Sequence, residues 1–132
     1  MFRRSRLFSD MRSARRMWRE LRFNTLLPAA EFTADDSRRA ALSGQEILVQ
    51  GVIDCIIEDQ SGDLRVIDYK TDRLTREELA DPALAEQTMR AKHENQLHYY
   101  ALAVERIFGK APSRVEVYSL HLGDTLSVKR EL

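Results

Sequence analysis

The sequence predicts an α/β (α+β) fold, a central mixed β-sheet flanked by helices, and three observations carry that reading. Two runs rich in β-branched residues, Gly51 to Ile57 and Leu64 to Lys70, are separated by the polar cluster Asp59-Gln60-Ser61-Gly62-Asp63, the pattern of a β-hairpin. From about Leu84 to Phe108 the residues are strong helix formers, with Gly109 as a stop signal. Two more strand-like runs, Arg114 to Leu120 and Thr125 to Lys129, come after that helix. No repeat, low-complexity run or linker divides the 132 residues, so a single domain over 1–132 is expected.

Taken in order, the first element is a basic helix over about 9–18, capped by Ser9, with Met11, Ala14, Trp18 and Leu21 as its apolar stripe. Glu20-Leu21-Arg22-Phe23 already alternates as a strand that ends before Pro28, which sets the end of the helix between Arg16 and Trp18. A strand fragment is expected around Glu31-Phe32, then loop or a short helical turn before Gln45. The hairpin spans about 46–70, beginning with Ile47 and Val49 and either running straight or bending at Gly51. With Gln60-Ser61-Gly62 as a three-residue loop and Gly62 left-handed, Asp54 falls opposite Asp68 and Val52 opposite Lys70.

After Lys70 the chain leaves the sheet, and Thr75 with Glu78 makes a capping box for a short helix ending before Asp81-Pro82. The long helix, about 84–108, places Leu97, Ala101, Val104 and Phe108 on one stripe. Closing strands over about 114–130 put Val115, Val117 and Ser119 on one face and turn at Gly123-Asp124.

Composition narrows the function classes. No segment is long and apolar enough to span a membrane, and no apolar stretch or cleavage site follows the basic start Met1-Phe2-Arg3-Arg4-Ser5-Arg6, so a cytoplasmic protein is expected. Cys55 is the single cysteine, which excludes an internal disulfide and any cysteine-only zinc or iron–sulfur site. The net charge of zero conceals an asymmetry, because residues 1–22 hold eight arginines against Asp10 and Glu20, a balance of +6 that the remainder offsets. Such a face suits a phosphate backbone, a solvated surface or a protein docking face equally well.

The chemistry converges on the hairpin. Asp68 and Lys70 share a strand face, and the register brings Asp54 beside them. Facing carboxylates repel unless a proton, a cation or a hydrogen-bond network holds them, and a hard divalent ion, Mg²⁺ or Mn²⁺, is the natural candidate. Lys70 is then placed to orient a water or offset developing charge, with an ordinary salt bridge as its bland alternative. Gln96 and Tyr100, four apart on the long helix, lie on one face and reach toward the carboxylates or a substrate. His93 reads as a helix-packing or solvated residue rather than a ligand, Thr71 and Asp72 as caps of the next turn, and Glu20 as a structural salt-bridge partner.

Gly51-Val52-Ile53-Asp54, Asp68-Tyr69-Lys70-Thr71-Asp72 and Gln96-Leu97-His98-Tyr99-Tyr100-Ala101 together resemble the RecB-like branch of the PD-(D/E)XK nuclease superfamily. Glu20-Leu21-Arg22-Phe23 and the strands after Phe108-Gly109-Lys110 look like the C-terminal nuclease domain of AddA-type helicase–nucleases, so the resemblance covers roughly residues 7 to 130. It implies a restriction-endonuclease-like fold and a metal-dependent DNA exonuclease acting in double-strand break repair and recombination. It also implies Asp54, Asp68 and the Tyr69 backbone carbonyl as metal ligands, Lys70 as the residue activating water, and Gln96 and Tyr100 as an auxiliary motif beside the DNA. The implied partners are a single DNA strand delivered by a helicase, the rest of the helicase chain and a second, AddB-like protein. ATP would be used only in a helicase portion outside this chain, which has no phosphate-cradling glycine loop of its own.

One departure matters. Members of this branch carry a metal-binding histidine on a helix ahead of the first strand, whereas the histidines here are His93, His98 and His121. Either the chain is a fragment cut just after that helix, the favoured expectation, or its site is incomplete. Isolated, it would bind metal weakly and cut DNA poorly. The competing reading is a catalytically silent DNA-binding or subunit-docking module that keeps the nuclease fold.

Overall fold

The computed structural model describes residues 6–128, so Arg3 and Arg4 of the basic start and residues 129–130 of the closing-strand expectation lie outside the described residues. Within them, five strands order as β1-β2-β3-β4-β5: β1 (Arg16–Pro28), β2 (Glu46–Glu58), β3 (Leu64–Lys70), β4 (Arg114–Ser119) and β5 (Asp124–Ser127). Neighbours are antiparallel except β3 and β4, which are parallel, so the sheet is mixed as expected. The crossover between the parallel pair consists of α3 (Arg76–Ala80) and α4 (Pro82–Phe108), the connection that parallel strands require.

The first helix, α1 (Arg6–Arg12), is earlier and shorter than the expected 9–18. Its apolar contact is Leu7 and Met11, one turn apart and both buried, whereas Trp18 belongs to β1. The reason is tertiary: β1 pairs with β2 along nearly its whole length, from Arg16↔Glu58 to Pro28↔Glu46, and Trp18 packs edge-on against Phe108 of α4 at 4.9 Å. A ladder of twelve pairs outweighs the modest helix propensity of Arg16 to Trp18. Nor is there a strand at Glu31-Phe32. Pro28 ends the ladder, and Ala29–Phe32 winds into a 3₁₀ turn whose Ala29 N–H is taken by Gln45 at 2.8 Å. The short helical turn before Gln45 is α2 (Asp36–Ala41), with Asp35 as its N-cap.

Other expectations hold. The Thr75–Glu78 capping box forms in both directions, and α4 ends at Gly109 with φ 72°. The β2–β3 turn closes with Gly62 at φ 88°, and Asp59 Oδ1 accepts the Ser61 and Asp63 N–H groups, so the register pairs Cys55 with Ile67 and Glu58 with Leu64 in the predicted frame. The final strand differs in its bounds, beginning at Asp124, one residue ahead of the expected Thr125, and ending at Ser127.

Helices cover both faces of the sheet. On one side α4 contributes Ala85, Met89, Leu97, Ala103 and Val104 to a cluster with Ile53, Ile56, Val66, Val115 and Val117. On the other, Leu7 and Met11 of α1 pack on Cys55, Ile57, Ile67 and Tyr118, and Asp10 pairs with the buried Arg65 at 2.6 Å. Arg65 is also paired with Glu116 of β4, so the charge that pins α1 is itself held from the sheet.

Gly51 runs through β2 without a break, and its reason for being glycine is space rather than dihedral angle. A Cβ there would sit 2.7 Å from Cζ of Phe23, whose ring is buried and meets Tyr100 edge-on at 5.8 Å. Gly51→Ala is therefore expected to lower stability by about 1–3 kcal/mol, the usual effect of overpacking. Urea unfolding checks this. Combining it with Phe23→Leu should recover part of the loss, and strict additivity would show that the ring is not the obstacle.

Candidate active site

The site lies where the sheet splits. β2 and β3 pair only from Cys55↔Ile67 to Glu58↔Leu64, so β2 above Cys55 stays with β1 while β3 continues beside β4 to Lys70↔Ser119. Asp54 and Asp68 are the next residues beyond the last β2–β3 pair. An unbroken ladder would bring them directly opposite each other; instead the Asp54 carboxylate turns into the gap and accepts the Tyr69 N–H at 2.9 Å. A side chain thus replaces a backbone acceptor at the end of the ladder.

The other side of β2 adjusts at the same level. The β1–β2 register is constant, yet the pair that would join Glu20 to Asp54 is missing, and Glu20 has φ 51°. Ile53 and Ile56 of β2 both pack on the α4 side, as do Trp18 and Leu21 of β1, although residues an odd number apart on a regular strand face opposite ways. Side-chain alternation therefore slips by one step in both strands at Glu20 and Asp54. That step frees Asp54 to lie near the sheet plane, and a left-handed non-glycine residue is the local strain that accompanies it.

Asp68 is buried, and burial together with a hydrogen bond to Asp54 pushes its pKa from 3.8 up to about 6, against the opposing pull of Lys70. Its Oδ2 is shut off from solvent and met by Lys70 Nζ at 2.7 Å as an ion pair. Lys70 Nζ also donates to Gln96 Oε1 at 2.9 Å, and Gln96 Nε2 donates to Tyr100 Oη at 3.1 Å. Burial and the charges of Asp68 and Asp54 raise the Tyr100 pKa, which keeps its phenol protonated and able to donate.

The structure thus brings Asp54, Asp68, Lys70, Gln96 and Tyr100 into one connected group and leaves others out. His93 turns to Asp72, with its Nε2 3.1 Å from Oδ1, which ties the segment after Lys70 to α4 one turn before Gln96. His98 faces Glu31 at 3.3 Å, and His121 Nδ1 accepts the Leu74 N–H at 2.7 Å. Glu20 was expected in a salt bridge, yet it forms none among the described residues. With Arg19, Asp54 and Tyr69 it lines a cavity of about 400 Å³ on the opposite face of the split. Periodicity could not find it, since the step in alternation that exposes Glu20 beside Asp54 leaves no mark in the sequence. Cys55 is buried, with its thiol pKa raised to about 11 by desolvation, and offers no nucleophile.

No group of three or more His, Cys, Asp or Glu side chains among the described residues is placed to hold a metal ion. The acidic pair nevertheless suits a hard cation. Two carboxylates meet with burial opposing their charge, and only one ammonium, that of Lys70, is paired with them. In an extended strand the N–H and C=O of a residue point to the same edge, so the Tyr69 carbonyl looks into the gap that Asp54 occupies.

Comparison with known proteins places the chain among nucleases. A family model described as the PD-(D/E)XK nuclease superfamily matches residues 1–131. Bacterial proteins named as the A subunits of ATP-dependent helicase/nucleases are similar to it: the one from Geobacillus thermodenitrificans is 34% identical over 81% of this chain, and the one from Moorella thermoacetica 36% over 80%. The protein of that name from Geobacillus kaustophilus is 32% identical over 89%. The chain covers only 8%, 6% and 9% of those relatives' own lengths. No helix among the described residues is long and apolar enough to cross a membrane.

Because the folded pKa of Asp68 lies above its ordinary value, the group favours the fold fully below about pH 4, and that contribution is lost as pH rises through about 6. In the presence of a chelator, Asp68→Asn should therefore be more stable than the parent at pH 8, by on the order of 1–3 kcal/mol and with a higher melting temperature, the gap closing toward pH 4. Thermal melts across that range decide it, and a gap independent of pH would show that Asp68 bears no such burden.

Proposed function

Since the chain belongs to the PD-(D/E)XK nuclease superfamily, we propose that its Asp54–Asp68–Lys70 group hydrolyses DNA phosphodiester bonds with the help of a divalent ion, Mg²⁺ or Mn²⁺. The observation that carries the proposal is the acidic pair at the split: a buried Asp68, an Asp54 pulled out of the ladder to meet it, and Lys70 against Asp68. Burying like charges this way is unfavourable for the fold, and a cation site accounts for it.

Asp54, Asp68 and the Tyr69 carbonyl would hold the ion, which when bound supplies charge neutralisation at the phosphate and a more acidic water. Lys70 positions the attacking water and offsets negative charge developing on the phosphate oxygens, since its ammonium is fixed between Asp68 and Gln96. Gln96 orients Lys70 through its oxygen and Tyr100 through its nitrogen, and Tyr100 presents its remaining O–H to the substrate side. The carboxyl end of β3, a parallel strand leading into a helical crossover, is a common place for ligands in such sheets.

The relatives' names and the small share of them that this chain covers support a place as the nuclease portion of a larger helicase–nuclease. Its substrate is then a DNA strand delivered as a single strand by a motor that uses ATP elsewhere in the protein. An exonuclease role in recombinational repair of double-strand breaks, a cytoplasmic setting and a second, AddB-like protein as partner complete the proposal.

Degradation of single-stranded DNA with Mg²⁺ or Mn²⁺ should fall at least about a hundredfold in Asp68→Ala and Lys70→Ala, the range typical of lost electrostatic groups. Gln96→Ala should retain more activity than either, because it acts through Lys70. Equal activity in the parent and both variants would favour a silent DNA-binding or docking module instead.

A further inference from the structure

Beside the catalytic group, on the adjoining face of α4, lies a second polar cavity of about 310 Å³, lined by Phe32, Thr33, Arg39, Asn95 and Tyr99 among others. Its wall is an aromatic pair: Phe32 and Tyr99 stack with centroids 4.5 Å apart and planes 26° from parallel. Both rings remain partly exposed, unlike Phe23 and Tyr118, which are shut inside the protein. The His98–Glu31 contact at 3.3 Å fastens the 3₁₀ turn carrying Phe32 to α4, so the pair stands on two fixed elements. Arg39, exposed on α2, forms no ion pair among the described residues and supplies a positive charge at the rim.

The position of this cavity is set by the helix. Asn95 and Tyr99 are the immediate chain neighbours of Gln96 and Tyr100, about 3.8 Å away along the backbone and 100° round the axis. A strand that brings its scissile phosphate to Lys70 and Gln96 would cross α4 and set its next nucleotide over Tyr99. Exposed aromatic faces with a nearby arginine are the usual means of holding single-stranded nucleic acid, since every base has a π-face to stack.

We propose that the Phe32–Tyr99 pair and the cavity beside it form a stacking subsite for one nucleobase of a single-stranded DNA substrate, with Arg39 on its phosphate. The proposal rests on the nuclease reading and extends it from the cleaved bond to the neighbouring nucleotide. It treats the 3₁₀ turn and α2 as a substrate-binding insertion between β1 and β2.

The test uses the full chain carrying Asp68→Asn, so that DNA is bound without being cut, and a fluorescent oligothymidylate read by anisotropy. Phe32→Leu and Tyr99→Leu keep apolar packing but remove the ring, and each should weaken binding about 5- to 100-fold, the range for one lost stack. An oligonucleotide of the same length with abasic sites should bind the unsubstituted rings as weakly as the Leu variants bind the normal strand. Melting temperatures control for misfolding, and Arg39→Gln, at an exposed position, gives an independent reading through a shallower salt dependence. Equal affinity for intact and abasic strands, or affinity unchanged in the Leu variants, would overturn the subsite. That result leaves the nuclease reading standing if the parent chain still cuts DNA with metal, whereas loss of metal-dependent cleavage would count against that reading alone.

Discussion

The hydrogen bond from the Tyr69 N–H to the Asp54 carboxylate is the contact on which the arrangement of this protein depends. A β-hairpin gains from every ladder bond, and β2 and β3 are long enough to pair to the end of β3. They stop at Cys55 and Ile67 because a carboxylate occupies the place of the next backbone acceptor. Satisfying the Tyr69 N–H in this way avoids an unpaired buried donor, and it brings a charged side chain into the plane of the sheet. From that point β2 is carried away with β1, and β3 is left to β4, opening the split in which the acidic group sits.

The consequences are spread over both neighbouring strands. Glu20 adopts a left-handed backbone, both strands of the β1–β2 pair lose a step of alternation, and Asp68 is buried with a pKa of about 6. Each is unfavourable alone, and such departures gather where chemistry needs them. The surrounding structure is correspondingly strong: Val66 and Val117 are fully buried beneath the site, and α4 spans the sheet as one 27-residue helix with a proline start and a glycine stop. The same helix offers Gln96, backed by Tyr100, to Lys70 and His93 to Asp72 along one stripe, and Asn95 and Tyr99 to the neighbouring cavity along the next.

Much of this is legible from residue patterns because it is local. The capping box at Thr75, the turn around Gly62, the α4 stripe ending at Gly109 and the pairing frame of the hairpin all follow from short-range stereochemistry. The expectations that fail are those in which a distant partner decides. Arg16 to Trp18 looks helical until β2 offers a ladder, and Glu31-Phe32 looks extended until Pro28 and Gln45 close a tight turn. Glu20 looks like a surface salt-bridge partner until the slip in alternation brings it beside Asp54.

By itself, then, the sequence determined the mixed sheet with its flanking helices, the hairpin and its register, and the convergence of Asp54, Asp68 and Lys70 with the helix bearing Gln96 and Tyr100. Alternation in strands and the 3.6-residue period in helices encode these directly. Only the tertiary structure decided that the two aspartates do not face each other across a finished ladder. The carboxylate of one enters the gap between strands while the other loses its solvent, because whether a ladder continues depends on β1, β3 and β4 competing for the same strand edges. No local pattern records the outcome of that competition.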